Sequence, residues 1–342
     1  MRTTLKQIAD ATNLSTAIVS QVLNNKPCRI SQENRQRILD TAERLNYRRN
    51  LVAVSLVKGS TDTIGLVISD IRNEFFSSLA KGVEDECHNH NWNVILCNSN
   101  DRHSRDMDNL RMLADKGVSG IVFGMASEST PAMVQECVEF MKKERLPYVM
   151  VDRYTEDHHN GIVRVDHVKG GYLATNYLLD RGHRRIACIT GPMNLIDSRQ
   201  RWEGYCKALQ EQGIPYRSEL VVNGKYTFDS GNDAAEILLK RRVDFDAVFC
   251  LNDLMAIGAM QRFQKRGIRI PQDISVVGYD DIFVAQFLNV PLTTIHQPVE
   301  ELGHAAARMI IERGVSEFAE NNCLVFEPEL VKRKTVIDRL FS

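Results

Sequence analysis

From Thr63 onward, short apolar runs rich in β-branched residues alternate with longer amphipathic stretches, and this alternation constrains the fold more than any other feature of the chain. The expected strands are Thr63–Ser69, Asn93–Asn98, Gly120–Met125, Pro147–Val151, Arg185–Thr190, Ala247–Leu251 and Ile274–Gly278. A helical period appears at Phe75–Asn89, Ser104–Lys116, Pro131–Lys143, Val168–Arg181, Ser198–Gln212, Ser230–Leu239 and Leu254–Arg266. Strands joined by helices run parallel and are covered on both faces. Seven such units exceed one comfortable sheet, so two α/β lobes are expected. Open sheets of this kind bind ligands beyond the carboxyl ends of their strands.

The first sixty residues break the pattern. They hold ten Lys and Arg against four Asp and Glu, which leaves 33 against 40 in the rest of the 342-residue chain. A small basic head on an acidic body points to a polyanionic partner. Leu5, Ile8, Ala9 and Thr12 share one helical face, and Thr4 and Gln7 have the spacing of a capping box. Asn13-Leu14 is a short turn. Ser15 caps a second helix, Thr16 to Leu23, with Ile18, Val19, Val22 and Leu23 inward. Ser31 opens a third, to about Asn46, with Ile38, Leu39, Ala42 and Leu45 inward. Two short helices about a tight turn, supported by a third, make a helix-turn-helix, whose second helix enters the major groove. A plain three-helix bundle is the bland alternative. The basic charge and the lack of an outward apolar face weigh against it.

Leu5 to Leu23 with Asn24, followed by Leu45-Asn46-Tyr47, resembles the DNA-binding head of the LacI/GalR repressor family. The resemblance implies that Thr16, Ala17 and Gln21 read base edges of double-stranded operator DNA. By the same pattern Ser20, Asn24 and Arg29 hold phosphates. It also implies that Asn50–Leu56 forms a hinge helix in the minor groove, with Leu56 wedging a base step open. Arg49 stands where the family usually has Pro. In the body, Thr63-Ile64-Gly65-Leu66-Val67, Ser275-Val276-Val277-Gly278-Tyr279-Asp280-Asp281 and Pro291-Leu292-Thr293-Thr294-Ile295 are similar to the family's periplasmic-binding-protein-like core.

The implied fold class is α/β, with an N-terminal all-α head and a two-lobe core of parallel sheets covered by helices. The head is expected at 1–46 and the hinge at 47–60. The N-terminal lobe is expected at 61–163 plus 293–323, and the C-terminal lobe at 164–292 plus 324–342. The chain is expected to cross between lobes near residues 163, 292 and 323.

Polar residues at strand ends are candidates for the cleft, because burying them without a partner is costly. They are Asn73 with Phe75 and Phe76 after the first strand, and Asp152 and Arg153 after Tyr148–Val151. Arg201 follows Gly191-Pro192, Tyr226 lies in the 224–228 loop, Asn252 and Asp280 end strands, and Gln297 follows a late one. Carboxylates, amides and guanidinium groups bind vicinal hydroxyls, and aromatic faces cover the C–H side of a sugar ring. The set is similar to that of ribose-binding proteins of this fold, with Tyr226 in the place where Phe is common. Asp166 is a weaker candidate. Asp281 reads as more structural than Asp280.

No G-x-S-x-G, H-E-x-x-H or P-loop occurs, so an enzyme is not expected. His183 reads as a helix-end cation beside the C-terminal dipole. Eight scattered cysteines form no C-x-x-C pair, so reduced thiols are expected, with no metal and no cofactor. No apolar run reaches the length of a membrane span, and the N-terminus lacks a signal core, so a cytoplasmic location is expected. The resulting expectation is a homodimeric repressor of a carbohydrate operon, acting on a pseudo-palindromic operator and controlled by a small sugar, ribose in the lead. The alternatives are a sugar receptor without a DNA role, or a repressor answering a sugar acid, a phosphorylated metabolite or a phosphocarrier corepressor.

Overall fold

The computed structural model describes residues 3–47, 61–155, 161–313 and 323–340. The expected hinge helix, with Arg49 and Leu56, lies outside them. The chain divides into two compact units, Met1–Thr61 and Asp62–Ser342.

In the first unit α1 spans Leu5–Thr12, α2 Thr16–Leu23 and α3 Gln32–Arg44. The capping box is formed: the Thr4 hydroxyl accepts from the Gln7 amide, and the Gln7 side chain accepts from the Thr4 amide. Asn13 ends α1 in the left-handed region at φ 54°, which Asn tolerates better than most residues. Ile8, Ala9, Val19, Val22, Ile38 and Ala42 form the core. Leu39 is the exception to the expected inward set: it is 40% exposed, because the core is closed by Ile38 and Ala42 beside it.

In the second unit, the first sheet is parallel throughout. Its strands are β1 Thr63–Ile68, β2 Asn93–Asn98, β3 Gly120–Phe123, β4 Tyr148–Val151, β5 Ile162–Val165 and β11 Cys323–Phe326. Their order is β11-β5-β4-β3-β1-β2. The period of two along β1 sorts its side chains. Ile64, Leu66 and Ile68 face the helices α4 (Glu74–Asn89) and α11 (Val299–Arg313). Val67 faces α5 (His103–Asp115) and α6 (Pro131–Lys143).

A second parallel sheet has the order β7-β6-β8-β9, from Val221–Asn223, Ile186–Thr190, Ala247–Cys250 and Ser275–Val277. The helices α7 (His167–Asp180), α8 (Ile196–Glu211), α9 (Phe228–Lys240) and α10 (Asp253–Lys265) pack with it around one core. A short antiparallel pair, β10 (Thr294–His296) and β12 (Glu329–Val331), joins the two lobes.

Ile162–Val165 and Cys323–Phe326, the strands at the expected crossings near 163 and 323, pair with each other in the first sheet, and the chain leaves it after residues 165 and 326. Thr293 and His296 still bridge to Val277 and Asp280, which moves the middle crossing beyond 292. His183, read as a helix-end cation, packs inward beyond the end of α7. It is fully buried, 3.0 Å from Asp246 and 3.2 Å from the Ile337 carbonyl, and it fastens the C-terminal segment to the second lobe. Among the described residues no helix is long and apolar enough to cross a membrane, and no cluster of His, Cys, Asp and Glu is arranged to hold a metal ion.

Candidate nucleic-acid interface and ligand cleft

On the head, Thr16, Ala17 and Gln21 are exposed on α2, and Arg29 is exposed beyond it. Ser20 and Asn24 are half-buried, and the Asn24 amide donates to the Ser20 hydroxyl at 3.2 Å. The Ser15 hydroxyl accepts from the Ile18 amide and satisfies one of the free donors at the start of α2. The Arg37 guanidinium donates to the Thr12 carbonyl at 2.7 Å and ties α3 to the end of α1. These contacts leave a rigid helix presenting small polar side chains outward, the geometry a major groove accepts.

In the second unit, nine of the ten predicted cleft residues come together. Asn73, Phe75, Phe76, Asp152, Arg153, Arg201, Tyr226, Asn252 and Asp280 line one cavity with Asp197, and about 10 Å³ lies open between them. Gln297 stands behind this wall and donates to Asp280 at 2.7 Å. Larger chambers adjoin on the flanks. One, of about 230 Å³, is bounded by Phe75, Asp280, Gln297 and several acids. The other, of about 340 Å³, is bounded by Arg153, Tyr154 and the 194–199 segment.

Several of these residues also hold the fold. Asn73 caps α4, and Phe75 and Phe76 meet edge to face at 5.1 Å within the first lobe's core. Asn252 caps α10 and donates to the Tyr226 carbonyl. Asp166 caps α7 and Asp281 pairs with His296 and Arg333, and neither lines the central cavity. Arg201 is buried, not paired with Glu203 at the surface. It donates to the Leu251 carbonyl at 2.7 Å and lies 3.5 Å from Asp280.

The two guanidinium groups flank the Tyr226 ring, Arg153 at 6.0 Å and Arg201 at 5.7 Å. The Tyr226 hydroxyl donates to Asp197 at 2.8 Å. Asp152, Tyr226 and Asp280 all adopt left-handed backbone, at φ 65°, 60° and 113°. Strain of this kind costs on the order of 1–3 kcal/mol per residue and collects at functional sites. Burial pushes the Asp280 carboxyl up to about 7, although Arg201 opposes the shift. Burial also raises Asp152, but His167 and Arg201 outweigh it and hold this carboxyl below the usual range.

Among the described residues, three buried polar atoms around the cavity have no hydrogen-bond partner: Arg153 Nε, Asp197 Oδ1 and Gln297 Oε1. That leaves one donor and two acceptors unmatched, of which Gln297 Oε1 lies behind the cavity wall.

Four contributors were not foreseen. Asp197 sits four residues before Arg201, on the same helical face, and that spacing was a usable signal. Tyr279 lies between Gly278 and Asp280, and its ring packs 3.9 Å from the Arg201 guanidinium. Ser69 accepts from Arg153 at 2.7 Å. His167 meets Asp152 and Tyr279, and no local pattern marks it.

Comparison with known proteins agrees with this division. Residues 4–50 match the model for bacterial regulatory proteins of the lacI family. Residues 61–322 match the model for periplasmic binding proteins and the sugar-binding domain of the LacI family. The chain is 36% identical over 334 residues to the HTH-type transcriptional repressor PurR of Vibrio atlanticus (strain LGP32), covering 97% of this chain and 98% of that one. It resembles the structure of the transcriptional regulator CelR in complex with cellobiose, at 30% identity and a TM-score of 0.74, over 98% of this chain and 100% of that one. It also resembles a LacI family regulator from Enterococcus faecium with bound ribose, at 31% identity and a TM-score of 0.71, over 81% of this chain and 99% of that one. With its head and its core each matched in this way, the chain belongs to the LacI family of bacterial regulatory proteins.

Proposed function

We propose that this chain is a DNA-binding transcriptional repressor of carbohydrate-utilisation genes, and that a small neutral sugar in the cleft controls it. The observation that carries the ligand reading is the unpaired set of Arg153 Nε, Asp197 Oδ1 and Gln297 Oε1. Leaving such groups buried and unmatched costs roughly 1–3 kcal/mol each, and vicinal hydroxyls match donors and acceptors at once. The charge balance supports neutrality. Asp152, Asp197 and Asp280 face Arg153 and Arg201, and burial pushes the Asp280 carboxyl up to about 7, toward its neutral form. Ribose leads on the residue pattern of the cleft. A ring does not fit in about 10 Å³, so the lobes must part at the crossing strands to admit it.

On DNA, two copies of the chain act as a homodimer, because two-fold symmetry in the protein matches a pseudo-palindromic operator. Thr16, Ala17 and Gln21 read bases, Ser20, Asn24 and Arg29 hold phosphates, and Leu56 wedges a base step. Sugar binding changes the relation between the lobes and, through the hinge, the grip on DNA. A coupling of this sort is typically about 1–3 kcal/mol.

Calorimetric titration of the purified chain with D-ribose, then other pentoses, hexoses and sugar acids, tests the ligand. Heat from ribose supports the lead assignment, and heat from another neutral sugar moves the effector while keeping the class. Binding only of acids or phosphorylated sugars, or only of a phosphocarrier protein, overturns the neutral-sugar reading. A steep fall of DNA affinity with rising salt checks the head, since every phosphate neutralised by the protein steepens the slope.

A further inference from the structure

We infer that the chamber of about 340 Å³ beside Arg153 is a second ligand site, separate from the central cavity, and that it takes a small oxyanion of the phosphate class. Its charge sets it apart. Among the described residues that line it, Arg153 and Arg199 are cations and none is an acid. Acids bound both the central cavity and the chamber on the opposite flank. The inference stands on this contrast and is independent of the sugar reading above.

The donors are built into the fold. Ser129 is 3% exposed, and its hydroxyl has no hydrogen-bond partner among the described residues. Asn194 donates to the Ser127 and Ser129 carbonyls at 2.9 and 3.1 Å, so oxygens that would repel an anion are already engaged. The Tyr154 hydroxyl accepts from Gln200 at 3.1 Å, which leaves its own proton to donate. Leu195, Ile196 and Arg199 belong to the start of α8, which no side chain caps. The unpaired amides and the dipole at such an end favour an anion. The one acid of that turn, Asp197, is engaged by Tyr226 on the central side.

Arg153 is 5% exposed, and its ion pair with Asp101 is long, at 3.8 Å. A buried guanidinium held this loosely is short of countercharge. The apolar part of the lining, among it Pro131 and Val134, lowers the local dielectric and strengthens any charge contact made there. Ser129 and Arg153 come from the first lobe and Arg199 from the second. An anion held by all three favours the arrangement in which the lobes are together.

The test is calorimetric titration of the full chain, at constant ionic strength, with inorganic phosphate, glycerol 3-phosphate and D-ribose 5-phosphate. Saturable binding of phosphate or glycerol 3-phosphate is expected, and whichever is tighter tells a free ion from a phosphomonoester. Arg199→Gln should weaken it about tenfold, and Ser129→Ala about threefold. Ser129→Asp, which puts a carboxylate into the chamber, should abolish it. Lys240→Gln, which removes an exposed cation on α9, should change it less than about twofold. D-ribose should not displace the anion. No saturable heat from phosphate or glycerol 3-phosphate overturns the inference. So does binding that survives Ser129→Asp, or that falls equally in Lys240→Gln, which would mean general attraction to basic surface. Binding of ribose 5-phosphate alone, or displacement by ribose, would place the anion in the central cavity and overturn it too.

Discussion

The Nε2 of His167 lies 2.8 Å from a carboxylate oxygen of Asp152, and its Nδ1 lies 3.2 Å from the Tyr279 hydroxyl. Arg201 Nε approaches the same Nδ1 at 3.4 Å. All four side chains are buried, and they come from opposite sides of the first crossing. His167→Ala should leave the Asp152 carboxylate buried without its partner, at a cost of about 1–3 kcal/mol. Urea unfolding of the variant checks this, and His167→Gln, which can still donate to Asp152, should recover part of the loss. Unchanged stability in His167→Ala would mean that water replaces the imidazole freely.

Asp280 gives the fold a pH dependence of known sign. Its folded carboxyl is raised to about 7, so between about pH 4 and pH 7 the folded chain holds a proton that the unfolded chain has released. Stability therefore falls across this window as pH rises, and the loss is complete above it. Asp280→Asn keeps the shape and removes the titration. The variant should gain on the wild type at pH 8 relative to pH 5 in parallel urea titrations. An equal difference at both values would show that the carboxyl is ionised throughout.

Gly191 makes room for Tyr226. A Cβ at position 191 would lie 2.3 Å from Tyr226 Cζ and 2.7 Å from its hydroxyl oxygen. Gly191→Ala should displace the ring, break its bond to Asp197, and cost about 1–3 kcal/mol through overpacking. Titration with whichever sugar binds the wild type should show at least a tenfold loss. An unaltered affinity would remove Tyr226 from the ligand wall.

On the head, Gln21→Ala should flatten base preference at one position of each half-site, by about 1–3 kcal/mol. Arg29→Ala should weaken all sequences alike and lower the salt slope by about one. Binding to operator and scrambled duplexes over a salt series separates the two. Equal effects on specificity would reject the division of roles.

Residues that reveal themselves by local contrast were legible in the sequence. Asp152, Arg153, Asn252 and Asp280 stand at the ends of apolar runs, where a buried charge needs a reason, and the structure brings them to one cavity. The helix Val299–Arg313 is missing from the expected set, although Leu302, Ala306, Ala307 and Ile310 keep a helical period. The strands Ile162–Val165, Thr294–His296 and Glu329–Val331 are three or four residues long, too short for a period to declare itself. His167 was beyond local reading, because its partners are 15 and 112 residues away. Its role exists only once the chain has crossed between lobes.

The first sheet is closed by Cys323–Phe326, which pair with Ile162–Val165 laid down far earlier in the chain. At synthesis rates of roughly 5–20 residues per second, on the order of ten seconds or more separate the two strands. During that interval β5 presents an open edge, while the head, whose contacts are all near in sequence, is already able to form. A nascent chain therefore acquires its DNA-reading surface before it can sense anything, and acquires its cleft nearly last.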